Sequence, residues 1–237
     1  MQYITYALIA ALGGIVQTVS GFGSAVVIVL FLQKSFGMLV APAIATTINL
    51  ALTTSLSYKF RKSIEWDKII IPAFIYTIVN NYVITLAKSA NLSVLKKAFG
   101  IFLIVLAIYS LFFSKKMQIR ASRKELAIFS IFSGITGGLF SVGGPLLALY
   151  YTAVSKSKES YIGNMQFLFM IICITSTITR VVTHIYTFDL LPVTLSGIAG
   201  VTLGKTAGIK IIEKLDKNIL TKLIYAFVAI SGILILV

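Results

Sequence analysis

Gly13-Gly14-Ile15-Val16-Gln17-Thr18-Val19-Ser20-Gly21-Phe22-Gly23-Ser24 and Gly134-Ile135-Thr136-Gly137-Gly138-Leu139-Phe140-Ser141-Val142-Gly143-Gly144-Pro145 read as one motif used twice. Placing Gly21-Phe22-Gly23-Ser24 over Ser141-Val142-Gly143-Gly144 gives an offset of 120 residues, and the same offset puts Gly14 on Gly134 and Pro72 on Pro192. An offset shared over that distance predicts an internal duplication of about half the chain.

The surroundings of the two copies decide the fold. Neither residues 1–33 nor residues 126–155 contain a charge, giving uncharged stretches of 33 and 30 residues. A helix rises about 1.5 Å per residue against a hydrocarbon core of about 30 Å, so each stretch is too long for one straight span. Glycines interrupt each near its middle, which predicts two arms of about 12–15 residues, each too short to cross alone. A re-entrant hairpin or a sharply broken helix follows. Such backbone is tolerated at membrane depth only where protein or an aqueous cavity satisfies it.

Composition agrees with a membrane setting. Of the 237 residues 58% are hydrophobic and 12% charged, with mean hydropathy +0.97, whereas soluble domains carry about 25% charged residues. Uncharged runs also occupy 35–58, 69–87, 98–114, 160–179, 190–204 and 223–237, for eight apolar segments in all. The expected fold is an all-α polytopic membrane protein of two homologous repeats, 1–113 and 125–237, joined by a basic cytoplasmic linker at 114–124. Each repeat has four segments, led by a Gly-broken helix. Met1–Tyr6 lacks a basic n-region, so the first run reads as part of the fold and not as a removable signal peptide. The expected location is the cell (cytoplasmic) membrane, crossed several times.

Net charge is +14, yet the basic residues sit in short connections, where they orient the chain and touch anionic headgroups; a nucleic-acid partner is not implied. If all eight segments cross, the two sides receive 10 and 11 Lys and Arg, and no orientation follows. If the leading segment of each half folds back to its own side, one face collects 16 and the other 5, as the positive-inside rule requires. The bias of the second-to-third loop relative to the next connection also reverses between halves, 4 against 3 and then 1 against 5. That reversal predicts inverted repeats, with both termini outside.

Ser24 and Gly144-Pro145 follow the glycine breaks directly. Serine and glycine are good N-caps and proline suits the first helical turn, so a second half-helix is expected to start at each. Two helix N-termini would then present free N–H groups to an anion near the midplane, with close helix packing through the glycines as the competing reading. Candidate binding residues are Gln17, Ser20, Gly21, Gly23 and Ser24 in the first copy and Ser141, Gly143, Gly144 and Pro145 in the second. Asn49, Asn164 and Gln166 join them, because carboxamides are costly in lipid and need partners. Thr18, Thr46 and Thr47 lie nearby in sequence. Asn80 and Asn81 read as packing or water contacts, and Cys173, the one cysteine, as a buried packing thiol.

All seven acids fall at segment ends, which disfavours a carboxylate relay in the membrane. Arg61 and Arg180 stand nearly one repeat apart, either as vestibule groups that draw in an anion or as interface anchors. His184, the one histidine, reads as an interfacial aromatic. Pro42, Pro72 and Pro192 read as helix-start markers. No H-E-x-x-H, G-x-S-x-G or Walker A motif and no acidic metal cluster occurs, so neither an enzyme nor a cofactor or metal is expected.

The glycine-rich run Gly134–Leu147 resembles the TauE/SafE sulfite exporter family. So does the closing stretch, with Leu191-Pro192, then Gly197, Gly200, Gly204 and Gly208, then Leu220–Ile224 and an apolar end at Val237. The first copy departs from it: Gln17-Thr18 stand where the second copy has Gly137-Gly138, and Ala25 where it has Pro145. The resemblance implies a prokaryotic-type permease whose partners are the lipid bilayer and a small inorganic or organic sulfur anion. A secondary transporter with a midplane site is the leading expectation. A passive anion channel and a non-transporting scaffold subunit are the alternatives, and a homo-oligomer is left open.

Overall fold

A computed structural model describes residues 2–112, 122–216 and 219; most of the basic linker and the last apolar segment, 223–237, lie outside them. The described chain is helical, with no strand among these residues. In order it runs α1 (Gln2–Ser20), α2 (Ser24–Lys59), two short 3₁₀ turns between residues 61 and 68, α3 (Ile70–Ala87), α4 (Leu92–Phe112), α5 (Arg123–Phe140), α6 (Gly144–Val154), α7 (Lys158–Val182) and α8 (Leu191–Ile212). Among the described residues five helical stretches, within Gln2–Ser20, Ser24–Lys59, Trp66–Ala87, Lys158–Val182 and Phe188–Ile212, are long and apolar enough to cross a membrane.

α2 is two helices in one. Gly37 (φ 76°, ψ 170°) is non-helical inside it and separates an arm over 24–36 from an arm over 38–59. Ser157, 120 residues on, also interrupts the helix, here with extended backbone (φ −140°, ψ 169°), and separates α6 from α7. The order of breaks and helices from α1 to α3 therefore recurs from α5 to α8.

The chain folds back at both glycine breaks. A Cβ on Gly13 would stand 3.0 Å from Ser24 Oγ, and the Tyr6 and Phe36 rings lie 5.8 Å apart, so the arm 24–36 runs antiparallel along α1. In the second half a Cβ on Gly143 would collide with the Ser133 carbonyl, and Phe129 lies 6.2 Å from Tyr150. Both leading segments are hairpins. Their arms are unequal, however, at 19 and 13 residues and at 18 and 11, instead of the even arms expected. In the first half the break at residues 21–23 falls past the middle of the uncharged run, which lengthens α1. In the second half α5 starts on the Ser122 N-cap with Arg123, Lys124 and Glu125 in its first turn, and so begins before the uncharged run does.

Each hairpin packs mainly on a helix of the other half. α1 lies along α8, α5 along α3, and α2 against α7. Glycines bring these backbones together: a Cβ on Gly200 or Gly204 of α8 would collide with the Ala7 or Ala11 carbonyl of α1. One on Gly138 of α5 would lie 2.7 Å from the Asn80 carbonyl of α3. Small residues at such faces let transmembrane helices approach to backbone contact.

One end of the bundle gathers the basic connections. Lys68 Nζ donates to the Val154 carbonyl at 2.8 Å, Tyr151 Oη to the Lys68 carbonyl at 2.8 Å, and Lys158 Nζ to the Leu215 carbonyl at 2.8 Å, while Lys59 pairs with Glu213 at 3.0 Å. Glu65 accepts from Ser160 Oγ and pairs with Lys68. Burial acts to raise the Glu65 carboxyl, but the Lys68 and Ser160 hydrogen bonds and the charges of Lys68 and Lys156 outweigh it and hold it below its ordinary value. Pro72 and Pro192 sit in the first turns of α3 and α8, as expected, but Pro42 lies inside the second arm of α2, just over one turn beyond Gly37. Lys205 falls within α8 and not in a loop, donating to Ser55 Oγ of α2 at 2.6 Å.

Candidate functional site

The first break is tied down by neutral amides. Gly21 (φ 85°) and Gly23 (φ 107°) take left-handed backbone, which glycine reaches without a Cβ clash, and Gly23, one residue before the expected Ser24, is the N-cap of α2. Gln17 reaches forward from α1: its Oε1 accepts from the Ser24 N–H at 3.3 Å and its Nε2 donates to Gln166 Oε1 at 3.2 Å. Gln166 in turn donates to the Gly21 carbonyl at 2.7 Å, and Tyr161 Oη to the Ser20 carbonyl at 2.7 Å. The Ser20 hydroxyl stays local, 2.7 Å from the Val16 carbonyl and 2.6 Å from that of Phe22.

The second break is built around a cation. α5 ends on Ser141, a non-glycine residue in left-handed backbone (φ 59°), where Gly21 stands in the first copy. The Ser141 hydroxyl lies 2.6 Å from Thr46 Oγ1, 2.9 Å from the Pro42 carbonyl and 3.3 Å from Arg180 Nη2. Arg180 Nη2 also donates to the Gly138 carbonyl at 3.1 Å. This arginine is only 2% exposed, its Nε has no hydrogen-bond partner, and no carboxylate among the described residues pairs with it. It is therefore not the snorkelling anchor allowed by the sequence. Side chains on a helix lean toward its N-terminus, so an arginine near the end of α7 reaches back into the protein. α6 then begins with Gly143 as N-cap, Pro145 in its first turn and no side-chain cap.

The two breaks meet. A Cβ on Gly144 would lie 2.6 Å from Phe22 Cβ, and beside this contact is a cavity of about 50 Å³. Gln17, Phe22 and Gly23 line it from the first break, and Ser141, Gly143, Gly144 and Pro145 from the second. Thr46, Asn49 and Thr53 of α2 form a polar wall, facing Tyr76 and Asn80 of α3 and Cys173 and Ser176 of α7. Asn49 is 6% exposed and its Oδ1 has no partner. Asn80 Nδ2 donates to Ser176 Oγ at 2.7 Å.

Several expected site residues stand elsewhere. Ser20, Gly21, Ser24 and Gln166 brace the first break from behind the cavity wall. Asn164 accepts from the Glu65 N–H at 2.7 Å, fixing the loop at the basic end. Arg61 is exposed, donating to the Tyr58 carbonyl at 2.8 Å with its guanidinium 4.1 Å from the Tyr58 ring centroid. Conversely, Asn80 and Cys173 line the cavity instead of serving only as packing, and Tyr76 was not singled out by the sequence. The Tyr76 hydroxyl fills the space that side chains at 137 and 143 would need, which requires glycine at both.

The family model described as sulfite exporter TauE/SafE matches residues 6–235. No curated protein and no solved structure matches the chain.

Proposed function

The chain belongs to the TauE/SafE sulfite exporter family, and on that premise we propose that it is a secondary transporter which binds a small sulfur oxyanion in the cavity between its two glycine breaks. The observation that carries this reading is Arg180. A buried guanidinium without a carboxylate is costly unless something supplies the opposite charge, and the adjoining cavity is where a mobile anion would do so. Ser141 and the uncapped start of α6 would add hydrogen bonds to that anion, and the helix dipole would favour it.

Alternating access follows from inverted repeats. The exchange of hairpins between halves, the recurrence of breaks from α1–α3 in α5–α8 and the uneven distribution of Lys and Arg all support that arrangement. Transport would move each hairpin, together with the partner helix it borrows, against the rest of the bundle around a fixed site. The basic end, with its Glu65, Lys68 and Ser160 contacts, would face the cytoplasm.

Arg180→Gln tests the reading. In proteoliposomes it should weaken saturable, counterflow-competent sulfite uptake by about 10- to 100-fold, the worth of one charge-assisted hydrogen bond. The same variant without anion should melt no lower than the parent, because a lone buried charge has been removed. Unchanged uptake would overturn the role of Arg180, and currents in place of saturable counterflow would make the protein a channel.

A further inference from the structure

We infer that the species held in the cavity is a singly charged, proton-bearing oxyanion of sulfite size, hydrogen sulfite and not the sulfite dianion. The inference rests on the anion-site reading above and asks which charge state that site accepts.

Charge balance comes first. Among the described residues no Lys, Arg, His, Asp or Glu lines the cavity itself, and the charge that reaches its wall is that of Arg180, whose Nη2 lies 3.3 Å from the lining Ser141 hydroxyl. A monoanion beside one guanidinium leaves the site neutral, whereas the second charge of a dianion has only the partial charge of the α6 N-terminus and neutral side chains to meet it, in a space that Phe22, Phe169 and Ile172 help to wall. The penalty for drying an ion rises with the square of its charge, while attraction to one fixed cation rises only in proportion. A single arginine therefore selects the lower charge.

The hydrogen-bond inventory points the same way. Asn49 lines the cavity with its Oδ1 unpartnered at 6% exposure, and a buried acceptor seeks a donor. A sulfite dianion can only accept. Hydrogen sulfite in its O–H form can offer its oxygens to Arg180 and to the N–H groups at the start of α6, and its proton to the Asn49 carboxamide.

Size sets a coarser limit. One water needs about 10–15 Å³, so about 50 Å³ admits a compact oxyanion of about four or five non-hydrogen atoms, sulfite, sulfate and methanesulfonate alike, and leaves the choice among them to charge.

Hydrogen sulfite loses its proton near neutrality, which supplies the test. The melting temperature of the whole protein in detergent, read by intrinsic fluorescence, is followed against total sulfite from about pH 5.5 to about pH 8.5. Sulfate serves as a permanent dianion and methanesulfonate as a permanent monoanion. The titratable groups at the cavity are Tyr76 of α3 and Cys173 and Arg180 of α7. Their side-chain types ordinarily titrate at about 8.5 or above, and methanesulfonate reports any contribution they make. The expected result is an apparent affinity for total sulfite that falls about tenfold per pH unit on the alkaline side. Methanesulfonate should show no such fall, and sulfate should stabilise little at any pH. Sulfite affinity that stays level or rises with pH, or sulfate binding as tightly as sulfite, overturns the charge assignment while leaving an anion site in place. No stabilisation by any of the three at any pH removes the site and the inference together.

Discussion

Phe22 and Gly144 touch across the centre of the protein, although 122 positions separate them in sequence. A Cβ on Gly144 would lie 2.6 Å from Phe22 Cβ and 3.1 Å from its Cγ. The first hairpin thus rests its turn on the start of α6, the second arm of the other hairpin.

Gly144→Ala should break that contact. Overpacking by one methyl at a position that cannot relax costs about 1–3 kcal/mol, a melting temperature lower by about 3–10 °C. Gly100 is the control, because a Cβ there meets nothing within 4 Å. Gly100→Ala should leave the melting temperature unchanged or raise it, since alanine is the better helix former. Equal melting curves for the two variants would show that the breaks do not bear on one another.

Ser141→Gly separates backbone need from chemistry. Left-handed backbone costs a non-glycine residue about 1–2 kcal/mol, so the glycine variant recovers some stability while losing the hydroxyl that meets Thr46, Pro42 and Arg180. The expected outcome is a melting temperature within about 3 °C of the parent and sulfite affinity reduced by about tenfold. Retained affinity would leave Ser141 as a C-cap only.

Glu65→Gln should loosen the basic end. The Glu65 carboxyl is held below its ordinary value, so its contribution is present above the unfolded-state carboxylate range and is lost as pH falls through the lower folded value. At neutral pH the variant should be about 0.5–1 kcal/mol less stable, as suits a half-buried pair. The gap should close on acidification below about pH 4. A gap that persists in acid would mean packing, and not charge, holds the loop.

Sidedness can be read with a thiol reagent that does not cross membranes. In a Cys173→Ala background, Asp67→Cys lies at the basic end and Ser89→Cys at the other, both at exposed positions. Intact cells should be labelled at 89 and protected at 67. The reverse pattern would invert the proposed orientation.

Much of this fold was legible because glycine breaks inside long uncharged runs leave few alternatives in a bilayer. The two breaks and their meeting followed from Gly21, Gly23, Gly143 and Gly144, whereas the choice between a hairpin and a sharply broken helix did not. For Arg180 the sequence left a vestibule group and an interface anchor side by side, because hydropathy records where an uncharged run stops, and not the direction in which a long side chain leans. Asn164 was assigned to the site for its polarity, yet it serves a loop backbone; composition does not distinguish the two uses. Of the polar wall, Asn49 entered the candidate site with Thr46 nearby, while the helical spacing that extends it was not used. Thr46, Asn49 and Thr53 fall three and four apart, Tyr76 and Asn80 four apart, and Cys173 and Ser176 three apart, each set on one helical face.

The lending of hairpins between halves also bears on how the protein is made. α1 leaves the ribosome well before α8, the helix it lies along, which begins only at Leu191. Until then the glycine-contacting face of α1 has no native neighbour, so a segment made early completes its packing late. A chain arrested after its first half would hold an orphaned hairpin in the bilayer, a recognisable substrate for membrane quality control.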